Sequence, residues 1–195
     1  ATFRCNQLSE LIDLRCRELC MSSNLVSKNE LEVMINNKEF QCNFQPIFDV
    51  RQTKAVGYEA LIRCLQSSPF NSPIELFDSA FEYGLLVELE LCCRHIAIQK
   101  FTDLELNGFL FLNVSPLAIE QTKNQPSAIP DILTQYGLAP ERIVIEITER
   151  YEAQDHSLLK QGLKRYRDLG FKIAIDDLGT GHSGLKQWAE VRPDI

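Results

Sequence analysis

An α/β fold follows from three features of this 195-residue chain. Strand-like runs at 108–114 (GFLFLNV), 142–148 (RIVIEIT) and 171–177 (FKIAIDD) are too apolar for strands with one wet face, and helical stretches separate them, which is the pattern of a parallel sheet buried on both sides. Two earlier runs, FQPIFDV (44–50) and AVGYEALI (55–62), are divided only by Arg51-Gln52-Thr53-Lys54, a connection that permits only an antiparallel hairpin. Hydrophobic residues make up 45% of the chain, enough for one well-buried core. An open doubly wound sheet and a (β/α) barrel both satisfy these features.

The elements follow in order. Residues 5–22 (CNQLSELIDLRCRELCMS) place Leu8, Leu11, Ile12, Cys16 and Leu19 at helical spacing, which predicts that 1–26 is a linker helix leading in from an upstream domain. Ser27-Lys28-Asn29-Glu30 is a capping box, and Leu31, Met34 and Ile35 supply the apolar face of the helix it starts. After the hairpin, helices are predicted near 73–82, 85–103, 127–136 and 155–169, the last with Asp155 as N-cap and Gly170 as stop. The main domain is therefore 27–195. Its last residue, Ile195, follows Pro193-Asp194 as though another strand were beginning, which predicts a piece of a longer domain, incomplete at its C-terminus.

Charge narrows the function. A net charge of −7 argues against a sequence-independent grip on polymeric nucleic acid, which needs a basic surface. An anionic substrate would need a few cations of the protein's own, or a metal. No run reaches the apolar length of a membrane span, so the domain reads as soluble and cytoplasmic, although its parent is free to be membrane-attached. The cysteines at 5, 16, 20, 42, 64, 92 and 93 form no C-x-x-C pair, and they read as reduced thiols at apolar positions.

In parallel α/β folds the carboxyl ends of the strands bind ligands. Here those ends are polar: Glu59 in the hairpin's second strand, Asn113 after FLFL, Glu146 and then Glu149 after IVI, and Asp176-Asp177 after KIAI. Taken singly, Glu59 could be a rim salt bridge to Arg63, Asn113 turn chemistry before a helix, and one aspartate a helix N-cap. Glu146 is harder to place, because it lies inside an apolar strand where an unpaired carboxylate is rarely tolerated. Together, several carboxylates share one end of the fold only with a cation between them. Oxygen donors without Cys or His select a hard ion, Mg²⁺ or Mn²⁺, and adjacent aspartates suit two ions and metal-assisted attack of water on a phosphodiester.

Other motifs carry less. GTGHSG (179–184) matches a dinucleotide fingerprint, but two aspartates precede it and the chain ends before an acidic ribose partner, so a loop covering the site is the better reading. His95, His156 and His182 have no metal-spaced partner, and Trp188 and Phe101 read as core. Phe44 and Phe48, beside Gln45, are candidates either for packing or for the border of a base-binding groove.

The segments FQPIFD, GYEALIR, FLNVSP, IVIEITER and IAIDDLGTGHSGL, in this order and spacing, resemble the EAL-domain phosphodiesterases of bacterial cyclic-di-GMP signalling, from about Asn29 onward. The resemblance implies a TIM-like (β/α) barrel with an antiparallel first strand, of which this chain holds the N-terminal part. It further implies Mg²⁺- or Mn²⁺-dependent hydrolysis of cyclic-di-GMP to linear pGpG, a homodimer, and an upstream sensory or GGDEF-type domain. Glu59, Asn113, Glu146 and Asp176 resemble metal ligands, Asp177 a ligand of the second ion, and Glu149 the glutamate that steadies the loop after the aspartate pair. Arg63 resembles the arginine that meets a substrate phosphate, while Gln45 and Leu61 match positions lining the dinucleotide groove. His182 departs from a usual Tyr, and Gly184 from a common Ser. A catalytic lysine, a further metal-binding glutamate and a glutamine of similar domains would fall beyond Ile195, so the 195-residue chain alone is expected to be inactive or weak. An open sheet edge is also expected to pair with another chain.

Three functions compete: an active phosphodiesterase, a catalytically silent cyclic-di-GMP receptor, and an interaction surface. The visible ligand set is whole, which favours the enzyme.

Overall fold

The first helix of the described residues is built by its cap. In the computed structural model, which describes residues 26–51, 53–121, 129–148, 150–151, 153–176 and 192–195, helix α1 spans Lys28–Asn37. Ser27 Oγ accepts from the Glu30 N–H at 3.3 Å, and Glu30 Oε2 accepts from the Ser27 N–H at 2.7 Å. This is the capping box read from the sequence. The predicted linker helix, the 179–184 loop, His182, Trp188, Glu149 and Asp177 lie outside the described residues.

The hairpin is longer than expected. Strand β1 spans Phe40–Asp49 and β2 spans Lys54–Cys64, paired antiparallel. The start of β1 was hidden because Gln41 and Asn43 look like loop residues, yet they point outward while Phe40 and Cys42 are buried. Asp49 closes the turn, its Oδ1 accepting from the Arg51 N–H at 2.7 Å and its carbonyl from Thr53 at 2.9 Å.

After the hairpin come α2 (Pro73–Glu82), α3 (Leu86–Asp103), β3 (Phe109–Val114), α4 (Pro116–Gln121), α5 (Ile129–Tyr136), β4 (Ile143–Ile147), α6 (His156–Asp168) and β5 (Lys172–Ile175). Local signals set these starts: Ser72 accepts from the Glu75 N–H ahead of α2, and Asp155 caps α6 through the Ser157 and Leu158 N–H groups. The short α4 is an addition to the expected elements. It begins where Ser115 Oγ accepts from the Ala118 N–H, after which Pro116 supplies a first-turn φ.

The strands form one sheet in the order β1-β2-β3-β4-β5, with β2 through β5 parallel. Residues beyond Pro193 lie along β5, the Asp194 N–H reaching the Ile173 carbonyl at 2.7 Å and Asp194 Oδ2 accepting from the Ile173 N–H at 2.9 Å. Strand alternation splits the sheet into two faces. Leu110, Leu112, Ile143, Ile145 and Ile173 face the helices and join the main core. On the other face Phe111, Val144 and Ala174 form a small apolar layer with Ile47 and Phe109. Gly57 permits the close approach of β2 to β3, since a Cβ there would stand 2.6 Å from the Phe109 carbonyl oxygen.

Phe101 is fully buried on the helix side, with edge-to-face contacts to Phe44 at 5.9 Å and Tyr58 at 6.3 Å between ring centroids. Phe44 therefore packs in the core and does not border a ligand groove; Phe48 is 58% exposed. Cys42, Cys64, Cys92 and Cys93 are free thiols. Among the described residues, no helix is long and apolar enough to cross a membrane.

Candidate active site

One step beyond the Phe111–Val144–Ala174 layer, toward the carboxyl ends, the same face turns polar. Asn113 follows Phe111 by two residues on β3, Glu146 follows Val144 on β4, and Asp176 follows Ala174 just past β5, so strand alternation alone brings them to one rim. Asn113 is the register partner of Glu146. On its other side, Asn113 Nδ2 donates to Glu59 Oε1 at 3.0 Å. The Asp176 N–H reaches the Ile147 carbonyl at 3.1 Å, carrying the β4–β5 pairing to that residue.

The rim salt bridge considered for Glu59 is not what holds it: Arg63 donates to the Ile62 carbonyl at 2.9 Å, while Glu59 binds Asn113. The oxygen of Asn113's amide, Oδ1, is buried without a hydrogen-bond partner among the described residues. A buried acceptor left so costs about 1–3 kcal/mol, which a ligand able to meet an amide oxygen would recover. A hard divalent cation is such a ligand, and the carboxylate–amide–carboxylate sequence Glu59, Asn113, Glu146 suits it chemically. Among the described residues, no three His, Cys, Asp or Glu side chains gather closely enough to cage an ion by themselves. Asn113 stands between Glu59 and Glu146, so the carboxylates are spaced apart by an uncharged donor.

Beside this row lies a cavity of about 220 Å³, between the ends of β2 and β3 and helices α2 and α3. Leu61, Arg63, Phe77, Arg94, Asn113 and Tyr151 are among the residues that line it. Leu61 and Glu59 share a strand face, and Gln45 is the exposed cross-strand partner of Glu59, so all the described groove residues expected from the sequence sit around the carboxylate row. Three arginines line this cavity: Arg94 is paired with Glu90, which also lines it, Arg150 is paired with Asp78, and Arg63 is bonded to a main-chain carbonyl.

Sequence reasoning missed Glu90 and Arg94 on α3. They form a buried pair at 2.9 Å, 5% and 4% exposed, and the Ser115 N–H donates to Glu90 at 3.2 Å. Burial pushes the Glu90 carboxyl above its ordinary range, against the pull of Arg94 and Ser115. The signal available was an i, i+4 charge pair in an otherwise apolar stretch, LELCCRHIA.

A family model for the EAL domain matches residues 28–195. The chain belongs to the EAL-domain family. It is 32% identical over 161 residues to the signaling protein YkoW of Bacillus subtilis, and 29% identical over 171 residues to the probable cyclic di-GMP phosphodiesterase PdeB of Escherichia coli. These alignments cover 80% and 86% of this chain but 20% and 33% of the relatives, so the chain spans a third or less of their length. Among solved structures it resembles the Bacillus subtilis YkuI protein in complex with c-di-GMP and calcium, with a TM-score of 0.68 and 28% identity over 87% of this chain and 43% of that one. Klebsiella pneumoniae BlrP1 with calcium and c-di-GMP gives a TM-score of 0.67 and 30% identity, covering 80% and 39%. The fold is accordingly the TIM-like barrel of EAL domains, of which the described residues hold a five-stranded part.

Proposed function

We propose that this chain is part of a metal-dependent phosphodiesterase that hydrolyses cyclic-di-GMP to linear pGpG in bacterial second-messenger signalling. The observation that carries this reading is the Glu59–Asn113–Glu146 row at the strand ends, with its unpartnered amide oxygen. Relatives named as probable cyclic di-GMP phosphodiesterases, and neighbours solved with c-di-GMP and calcium or manganese, point the same way.

Glu59, Asn113, Glu146 and Asp176 would hold Mg²⁺ or Mn²⁺, with Asp177 and Glu149 completing the set that the family resemblance implies. Bound there, the metal would supply an acidified water as nucleophile and neutralise developing phosphate charge. The remaining tasks belong to the chain. Arg63, at the exposed end of β2, offers a cation to a substrate phosphate. The apolar walls at Leu61 and Phe77 give a planar base a surface to pack on, and Gln45 lies across from Glu59 to border the groove. The proposal places the parent in the cytoplasm as a homodimer, controlled by an upstream sensory or GGDEF-type domain.

The test is hydrolysis of cyclic-di-GMP with Mg²⁺ or Mn²⁺ by the chain extended through its natural C-terminus, beside a Glu59→Ala control. Turnover that disappears in the control supports the enzyme. Tight binding without turnover in the unaltered chain would instead make it a receptor.

A further inference from the structure

The carboxylate of Asp78, on the solvent side of α2, reaches out of its own helix. Its Oδ1 accepts from Arg150 Nη2 at 2.7 Å and from the Tyr151 hydroxyl at 2.6 Å, both on the loop that follows β4. One turn further along α2, Phe81 stacks on the Tyr151 ring at 5.1 Å with 27° between planes. The Arg150 guanidinium also lies over the Tyr151 ring, 5.3 Å from its centroid. The Tyr151 carbonyl then accepts from the Leu117 N–H of α4 at 3.0 Å. Helices α2 and α4 and the loop after β4 are thereby fastened at one point.

That point is under strain. Tyr151 has φ of 56°, a left-handed conformation that an aromatic residue adopts only when its surroundings enforce it. The enforcing contacts are the ring stack, the Leu117 bond and the shared Asp78 oxygen. Arg150 and Tyr151 also line the cavity beside Arg63 and Asn113, so their placement shapes the space a substrate would enter. The ion pair itself contributes little to stability, since Asp78 and Arg150 are 49% and 46% exposed. What it contributes is geometry.

We propose that Asp78 is a positioning residue, which holds the Arg150–Tyr151 turn in place and so sets the wall of the substrate cavity. This rests on the phosphodiesterase reading above, and deepens it. Burial, followed by the bond to Asp78, pushes the Tyr151 phenol well above its ordinary range, so it remains a donor to Asp78 at any working pH.

The experiment compares Asp78→Ala, Asp78→Asn and Tyr151→Phe in the full parent chain. Steady-state hydrolysis of cyclic-di-GMP gives kcat and KM, and amide hydrogen exchange follows residues 150, 151 and 153. Asp78→Ala and Tyr151→Phe are each expected to raise KM about tenfold, with kcat within about twofold and the melting temperature nearly unchanged. Asp78→Asn, which keeps an acceptor oxygen for the Tyr151 hydroxyl, is expected to recover most of the loss. Exchange at 150–153 should quicken in Asp78→Ala and not in Asp78→Asn. Unchanged KM in both Asp78→Ala and Tyr151→Phe would overturn the proposal. A parent that turns nothing over would instead count against the phosphodiesterase reading, and exchange alone would then decide: faster exchange in Asp78→Ala supports the latch, and unaltered exchange overturns it.

Discussion

Asn113 sets two requirements against each other. Its amide gives Nδ2 to Glu59 and leaves Oδ1 buried without a partner among the described residues, an arrangement that costs stability in the metal-free chain. Asn113→Leu removes that unsatisfied oxygen, so the variant is expected to gain about 1 kcal/mol in urea unfolding with EDTA present. The same variant is expected to lose the stabilisation that Mn²⁺ gives the unaltered protein, and with it hydrolysis. A variant that is less stable without metal, yet still responds to Mn²⁺, would remove Asn113 from the site. Residues of this kind were legible in the sequence because an oxygen donor ending an apolar strand contradicts its surroundings. Asp78 was not, because a carboxylate on a helix reads as a solvated charge until the packing against it is known.

Elements pack where small residues let them. Gly162 on α6 faces Ile119 on α4 so closely that a Cβ would overlap the Ile119 methyl group, Cγ2. Two effects compete on Gly162→Ala: alanine favours the helix by about 1 kcal/mol, and overpacking costs about 1–3 kcal/mol. Ile119 is 1% exposed and sits in the main core, so it has little room to move and overpacking is expected to win. Net destabilisation of about 1 kcal/mol in urea unfolding is the expected outcome; a gain would mean that α4 shifts freely. On α3, Phe101→Ala is expected to cost about 3–5 kcal/mol, because Phe44 and Tyr58 both pack on that ring. The strands after the hairpin were legible as apolar runs between helical stretches, and α1 and α6 from their caps. The start of β1 and the short α4 were not: one alternates polar residues on an exposed face, and the other is held mainly by the core beneath it.

Across the whole molecule, the buried Glu90–Arg94 pair joins the helical layer to the rim, because Glu90 also accepts from Ser115, two residues past Asn113. Burial holds the Glu90 pKa above its unfolded value, which makes the folded chain the stronger proton binder across that window. The contribution of this group to stability is therefore full below the unfolded pKa and declines as pH rises through the folded one. Arg94 opposes the shift, so Arg94→Leu is expected to push the Glu90 pKa higher and to carry the decline further up the pH scale. Urea unfolding of Arg94→Leu should fall about 3–5 kcal/mol short of the unaltered protein near pH 8, the cost of leaving one buried charge unpaired. At lower pH, once Glu90 takes up a proton, the deficit should shrink. Adding Glu90→Gln to Arg94→Leu keeps an acceptor for the Ser115 N–H while removing the charge, and should return most of the loss at both pH values. A deficit equal at the two pH values, and untouched by Glu90→Gln, would assign the role of Arg94 to packing alone.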